Sequence, residues 1–121
     1  MNRLDKIEAR ANAATEGPWE AEWRFTGWDI SGNVDDDGLP ALIASEVDSE
    51  DTEFIAHART DVPDMAAALR AVLAIHTPVD RGRATACCTC EQWIESTDPE
   101  ACIEWPCATV ETIRQHIGDD L

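Results

Sequence analysis

The apolar positions of this chain change their period several times, and each change marks an element. Leu4, Ile7, Ala11 and Ala14 recur at helical spacing, which predicts a short amphipathic helix over residues 3–14 with Asn2 as its N-cap. Gly17-Pro18 ends it, because a proline pushes the preceding residue out of the helical region. From Pro18 the period drops to two. Trp19, Ala21, Trp23 and Phe25 alternate with Glu20, Glu22 and Arg24, the pattern of a half-buried strand with one aromatic face. Thr26-Gly27 makes a turn, and Trp28 and Ile30 open a second strand. Residues 31–40 read as a polar loop, and residues 41–47 as a third strand. The connections are too short for crossovers, so the three strands form an antiparallel meander.

Helical spacing then returns. Ser49 caps a helix with acids in its first turn, which runs through Phe54 and Ile55 to about Arg59. Thr60 or Asp61 caps a further helix that tolerates Pro63 in its first turn. Val62, Met65, Leu69, Val72, Leu73 and His76 share its broad face, and Thr77-Pro78 ends it. Residues 79–86 read as a polar linker, residues 87–107 as a cysteine-bearing segment, and residues 109–117 as a last helix closed by Gly118. The expected architecture is α+β. Residues 1–78 form a small antiparallel three-stranded sheet packed with helices, and residues 79–121 form a zinc-stapled segment ending in a helix.

Charge narrows the functional classes. The chain has 121 residues, 25 acidic against nine basic, and a net charge of -16. Binding to nucleic acid through phosphates needs a basic patch, and only Arg81 and Arg83 approach one another in sequence. Direct nucleic-acid binding and attraction to an anionic membrane are therefore disfavoured. The acidity suits a partner with a basic surface. No apolar run reaches the roughly 18 residues of a membrane span, and the first residues lack the apolar stretch of a secretory signal. A cytoplasmic protein is expected.

The five cysteines, Cys87, Cys88, Cys90, Cys102 and Cys107, all fall within residues 87–107. An odd number without a secretory signal argues against a disulfide framework, and local clustering argues for a metal. Cys87 and Cys90 have CxxC spacing, which lets two thiolates fold back onto one ion. Cys107 precedes the last helix, whose N-terminus favours a thiolate. A structural zinc needs four ligands, and His76, Cys87, Cys90 and Cys107 are the first choice. Cys102 competes with His76 for the fourth position, and Cys88 competes with Cys87. The bland alternatives are packed, reduced cysteines and a histidine that serves only as the charge partner of a helix end. A redox CxxC lacks its usual βαβ setting.

The five tryptophans are read as core packing rather than as a stacking surface for a base. Asp35-Asp36-Asp37-Gly38 lacks the spacing of a calcium loop and is read as a solvated turn. No nucleophile–base pairing or phosphate-binding loop is evident, so an enzyme is not expected. The enzymatic alternative is a metal-dependent hydrolase with an open coordination position.

Three segments resemble small accessory proteins of actinobacterial tailed phages. They are Ala11–Trp19, similar to an ATPGPW signature; Asp51–Pro63, similar to DAEFIAHARTDVP; and Cys87–Cys90 with Trp105-Pro106-Cys107-Ala108-Thr109, similar to a CxxC…WPCPT ending. The resemblance supports His76, Cys87, Cys90 and Cys107 as ligands. This chain departs from it at Ala108, where proline is usual, and in an apparent insertion that carries Cys102. The family implies a phage accessory product without a known activity, present in the cytoplasm of the infected host. The leading expectation is a non-enzymatic protein that binds and modulates a host protein. The alternatives are a counter-defence sponge for a nucleotide signal, with Arg24, Arg59, Arg70, Arg81 and Arg83 supplying its basic groups, and an acidic DNA mimic. A second copy of the chain is a further candidate partner.

Overall fold

The computed structural model describes residues 1–82, 84–91 and 103–121. The elements run α1 (Arg3–Ala13), β1 (Glu20–Arg24), β2 (Gly27–Val34), β3 (Pro40–Val47), α2 (Ser49–Ile75), β4 (Pro78–Asp80), β5 (Thr85–Cys87), α3 (Cys88–Glu91) and α4 (Ala108–Ile117). The architecture is α+β. The chain separates into two compact units, one of Ile7–Ala66 and one of Met1–Lys6 with Ala67–Leu121. The expected division at 78/79 thus falls elsewhere: the last turns of α2 group with the cysteine segment.

In the Ile7–Ala66 unit, β1, β2 and β3 form an antiparallel sheet in sequence order. β1 and β2 pair in regular register, with Ala21 opposite Ile30 and Trp23 opposite Trp28, so these four share a face. The β2–β3 ladder is irregular, and β3 carries an extra residue where Glu46 adopts a positive φ of 54°. Ile30 is wholly buried, and Thr52, Ala56 and Ala66 of α2 are nearly so. β2 extends through Ser31–Val34, which the sequence placed in a loop. The turn that follows is shorter than expected because Asp35 organises it. Its Oδ1 accepts from the Asp37 and Leu39 amides at 3.0 and 2.9 Å, which lets the strands close over a few residues.

Further expectations need correction. The aromatic face of β1 is not buried along its length: Trp23 is 61% exposed and Phe25 99% exposed. Alternation fixes which face a side chain takes, but not how far along the strand anything covers that face. The two helices expected over 49–76 are a single 27-residue helix that contains Pro63. A proline inside a helix removes one N–H and crowds the carbonyl four residues back. The helix persists because its less exposed positions, 52, 55, 56, 58, 59, 62, 63, 66, 69, 70, 72 and 73, form one broad face that runs through Pro63 itself. Met65, expected on the packed face, lies off this stripe and is 60% exposed.

In the other unit the expected linker is a hairpin. β4 and β5 pair antiparallel, with Pro78 opposite Cys87 and Asp80 opposite Thr85. Gly82, at φ 79°, donates to Asp80 Oδ1 at 2.7 Å, so the turn uses a conformation that suits glycine. Strands of three residues are too short to show a period. The chain returns beside β5, where Cys87 donates its backbone N–H to the Ile103 carbonyl and Trp105 donates to that of Thr85. α4 closes on Gly118, whose N–H reaches the Arg114 carbonyl at 2.7 Å and whose φ of 123° excludes most side chains.

The start of α1 is a reciprocal cap. Asn2 Oδ1 accepts the Asp5 amide at 2.8 Å, and Asp5 Oδ2 accepts the Asn2 amide at 2.9 Å. Asp5 also pairs with Arg70. The Asn2 amide, followed by the Arg70 guanidinium, holds the Asp5 carboxyl below its ordinary range. This contribution to stability is therefore complete above the usual carboxylate range and is lost as the pH falls through the depressed value. Asn2→Ala is expected to lower the unfolding free energy at pH 7 by about 1 kcal/mol in urea denaturation, the usual worth of an N-cap.

Candidate metal centre

Four different elements each deliver one donor. α2 ends at Ile75, and the amide of the next residue, His76, closes a last tight turn on the Leu73 carbonyl at 3.2 Å. That turn places the imidazole at the end of the helix. Cys87 is the final residue of β5, fixed on one side by β4 and on the other by the Ile103 carbonyl. Cys90 follows in α3, one turn further on. Cys107 occupies the N-cap position of α4, in extended backbone with φ -72° and ψ 167°.

The donor atoms converge. His76 Nδ1 lies 3.3 Å from Cys87 Sγ, 3.5 Å from Cys90 Sγ and 3.5 Å from Cys107 Sγ. All four donor atoms lie within 4.8 Å of one another. Cys87 and Cys107 are 0% and 2% exposed and pack with Val110, while Leu73, Cys90 and Trp105 surround them. Cys87, Cys88, Cys90 and Cys107 are all free thiols. Hydrogen bonding alone does not account for this arrangement. One ring nitrogen carries at most one proton or one lone pair, so it satisfies one sulfur and not three.

The electrostatics of the thiols point the same way. Burial, followed by the neighbouring Cys87 and Cys107 sulfurs, pushes the Cys90 thiol up to about 12. Burial also works against a Cys107 thiolate. There, however, the amides of Val110 and Thr109 at the start of α4 and the Cys87 and Cys90 thiols outweigh it, and the thiol is held below its ordinary value. A thiolate is thus favoured at Cys107 and resisted at Cys90 by burial and its sulfur neighbours. A cation at the centre reverses that resistance.

His76, Cys87, Cys90 and Cys107 are therefore a set that could hold a metal ion. Cys88 is not part of it. Its sulfur turns to Thr77 Oγ1 at 3.1 Å and to the Ile75 carbonyl at 3.4 Å, and the Thr77 hydroxyl lowers its pKa. Cys102, the competitor for the fourth position, lies outside the described residues, as does Trp93. The support around the centre went unread in the residue pattern. Trp105 pairs in the strand-like return and carries the Arg114 guanidinium 5.9 Å from its ring centroid. A tryptophan two residues before a donor was the available signal.

Compared with family profiles, curated proteins and solved structures, the chain matches none.

Protein purified without chelator should carry one metal ion per chain in native mass spectrometry. Cys88→Ser should retain the ion, and Cys87→Ser or Cys107→Ser should lose it. Metal binding to small thiolate sites is worth on the order of 10 kcal/mol at neutral pH, comparable with the whole stability of a domain. Chelation should therefore raise amide exchange over residues 85–117 while β1–β3 stay protected. Equal exchange in both regions would contradict a centre local to one unit.

Proposed function

We propose that this protein is a non-enzymatic binding module that docks on a basic surface of a host protein, and that a structural zinc ion holds its C-terminal unit. The observation that carries the docking reading is the tip of the β1–β2 hairpin. Phe25, in the two-residue turn between Arg24 and Gly27, is 99% exposed and sits at a positive φ of 50°. Left-handed backbone costs a bulky residue on the order of 1 kcal/mol, and turns of this kind favour Asn or Gly. A phenylalanine there forgoes both solubility and ease of turning. Trp23 stands beside it at 61% exposure, its ring edge-on to Trp28 at 5.8 Å. The hairpin has three acids, Glu20, Glu22 and Asp29, against Arg24 alone. Arg24 is itself tied to Glu22 at 2.7 Å. Exposed aromatic anchors on a hairpin whose opposite face carries Glu20, Glu22 and Asp29 suit a partner with an apolar pocket in a basic surround.

Zinc suits the donor set. A tetrahedral zinc with Zn–S near 2.3 Å and Zn–N near 2.0–2.1 Å places neighbouring nitrogen and sulfur about 3.6 Å apart. The three nitrogen–sulfur distances of 3.3–3.5 Å fall close to that edge. Four protein donors complete the shell and leave no position for substrate, which favours a structural over a hydrolytic ion. The resemblance to actinobacterial phage accessory proteins directs the search for a partner to the host cytoplasm. No helix among the described residues is long and apolar enough to cross a membrane.

The test uses Phe25→Asn. Asparagine accepts the left-handed conformation, so the variant should fold and gain about 1 kcal/mol or less in stability. It should nevertheless lose the host protein that the unchanged chain enriches from lysate, and binding of the purified pair should weaken as salt rises. Equal enrichment by Phe25→Asn, or an enriched partner whose binding ignores salt, would remove this reading.

A further inference from the structure

Within the Ile7–Ala66 unit, α1, the segment around Trp19 and α2 enclose a cleft of about 380 Å³. Small-molecule sites span roughly 300–1,000 Å³ and pair an apolar lining with a few placed polar groups. The walls here are of that kind. Ala11 and Ala14 come from α1, and Val62 and Pro63 from α2, with the Trp19 indole between them. The cleft contains no carboxylate, although 25 of the chain's 121 residues are acidic. It contains two of the nine basic side chains, Arg10 and Arg59. Neither arginine has a carboxylate partner among the described residues.

Arg59 is held in place by more than chance packing. Its Nε donates to the Thr15 carbonyl at 2.8 Å, and the Trp19 indole N–H donates to the same carbonyl at 3.0 Å. One oxygen thus sets the guanidinium and the indole side by side. The Arg59 stem lies over Gly17, where an added Cβ would come within 2.7 Å of Arg59 Cγ. Only glycine leaves that path open. Asn33 of β2 ties the same segment down by donating to the Gly17 carbonyl at 2.6 Å. With Nε engaged, the terminal nitrogens of Arg59 remain to meet a ligand. A fork of donors beside an aromatic face matches an oxyanion attached to an apolar body.

We propose that this cleft binds a small organic anion with an apolar or aromatic body, its carboxylate or phosphate held by Arg59 and Arg10 and its body stacked on Trp19. The proposal is independent of the hairpin reading, because none of these residues belongs to the hairpin tip. A neutral ligand would leave two guanidiniums without a counter-charge, and a cation would be repelled. A long chain is disfavoured by the small, bounded volume.

The test follows the Trp19 indole N–H by NMR in the metal-loaded full chain while three probes are titrated: 2-naphthoate, 2-naphthyl phosphate and neutral 2-naphthamide. The anions should shift the Trp19 signal and bind at least about tenfold more tightly than the amide, as expected for a charge-assisted fork. Arg10→Gln should weaken the anions severalfold and leave the amide unchanged. Ala58→Leu, which fills the cleft from α2, should abolish the Trp19 shift while the remaining amide signals stay dispersed. The preferred anion then identifies the headgroup. Equal affinity for the amide and the anions, or no Trp19 shift with any probe, overturns the proposal. So does an Arg10→Gln variant that binds the anions as tightly as the unchanged chain.

Discussion

Three buried or half-buried sulfur atoms surround a single imidazole nitrogen at 3.3–3.5 Å, and the C-terminal unit is arranged around that fact. Among the described residues its buried side chains are Leu4, Ala86, Cys87, Cys107 and Val110, two of them donors. Apolar burial at about 25 cal/mol per Å² gives little when the residues buried are so small. Protonated thiols packed there would hold the unit weakly, and thiolates without a cation would repel one another. A cation satisfies both requirements, because it converts like charges into ligands and cross-links four chain segments at one point. The β4–β5 hairpin, the return at residues 103–105 and the N-cap of α4 are the means by which the backbone delivers its sulfurs to that point.

The sheet unit obeys a different constraint. Its three strands hold Ile30 and Ser31 in the interior, while Trp23, Phe25, Val34, Leu39 and Leu42 remain exposed. Scattered apolar residues on a surface need no explanation. Phe25 does, because it combines near-complete exposure with a backbone conformation that costs a phenylalanine more than the alternatives. Turn stability alone would not retain it, which is why its side chain is read as a contact for another molecule.

How much of this was legible in the sequence depends on the range of the signal. Asn2 was legible as an N-cap from its type and place, whereas the return contact from Asp5, three residues on, appears only in the structure. The meander followed from alternation and short connections. Pro63 misled because a local breaker was weighed without the stripe on both sides of it, and the stripe won. β4 and β5 stayed hidden because three residues carry no period. The density of thiols pointed to a candidate metal centre, and spacing favoured Cys87 while leaving Cys88 as a competitor. That choice is made by the end of β5, where alternate side chains take opposite faces and Cys88 turns toward Thr77.

The placement of the few cations carries the last step. In a chain of net charge -16, each arginine has many carboxylates to choose from. Arg24 takes Glu22 and Arg70 takes Asp5. Arg114 lies over the Trp105 ring, in the unit of the metal centre. Among the described residues Arg10 and Arg59 form no ion pair with an acid, and both border the same cleft. Self-repulsion among 25 carboxylates favours any arrangement that pairs an arginine with an acid. Two arginines without an ion pair among the described residues therefore leave an electrostatic gain unused, although Glu16 and Asp64 line a neighbouring hollow with Arg59. In Arg59 the side chain is held toward the cleft, because the Thr15 carbonyl takes its Nε and Gly17 leaves room for its stem. An anion from outside the chain is the counter-charge that this arrangement lacks.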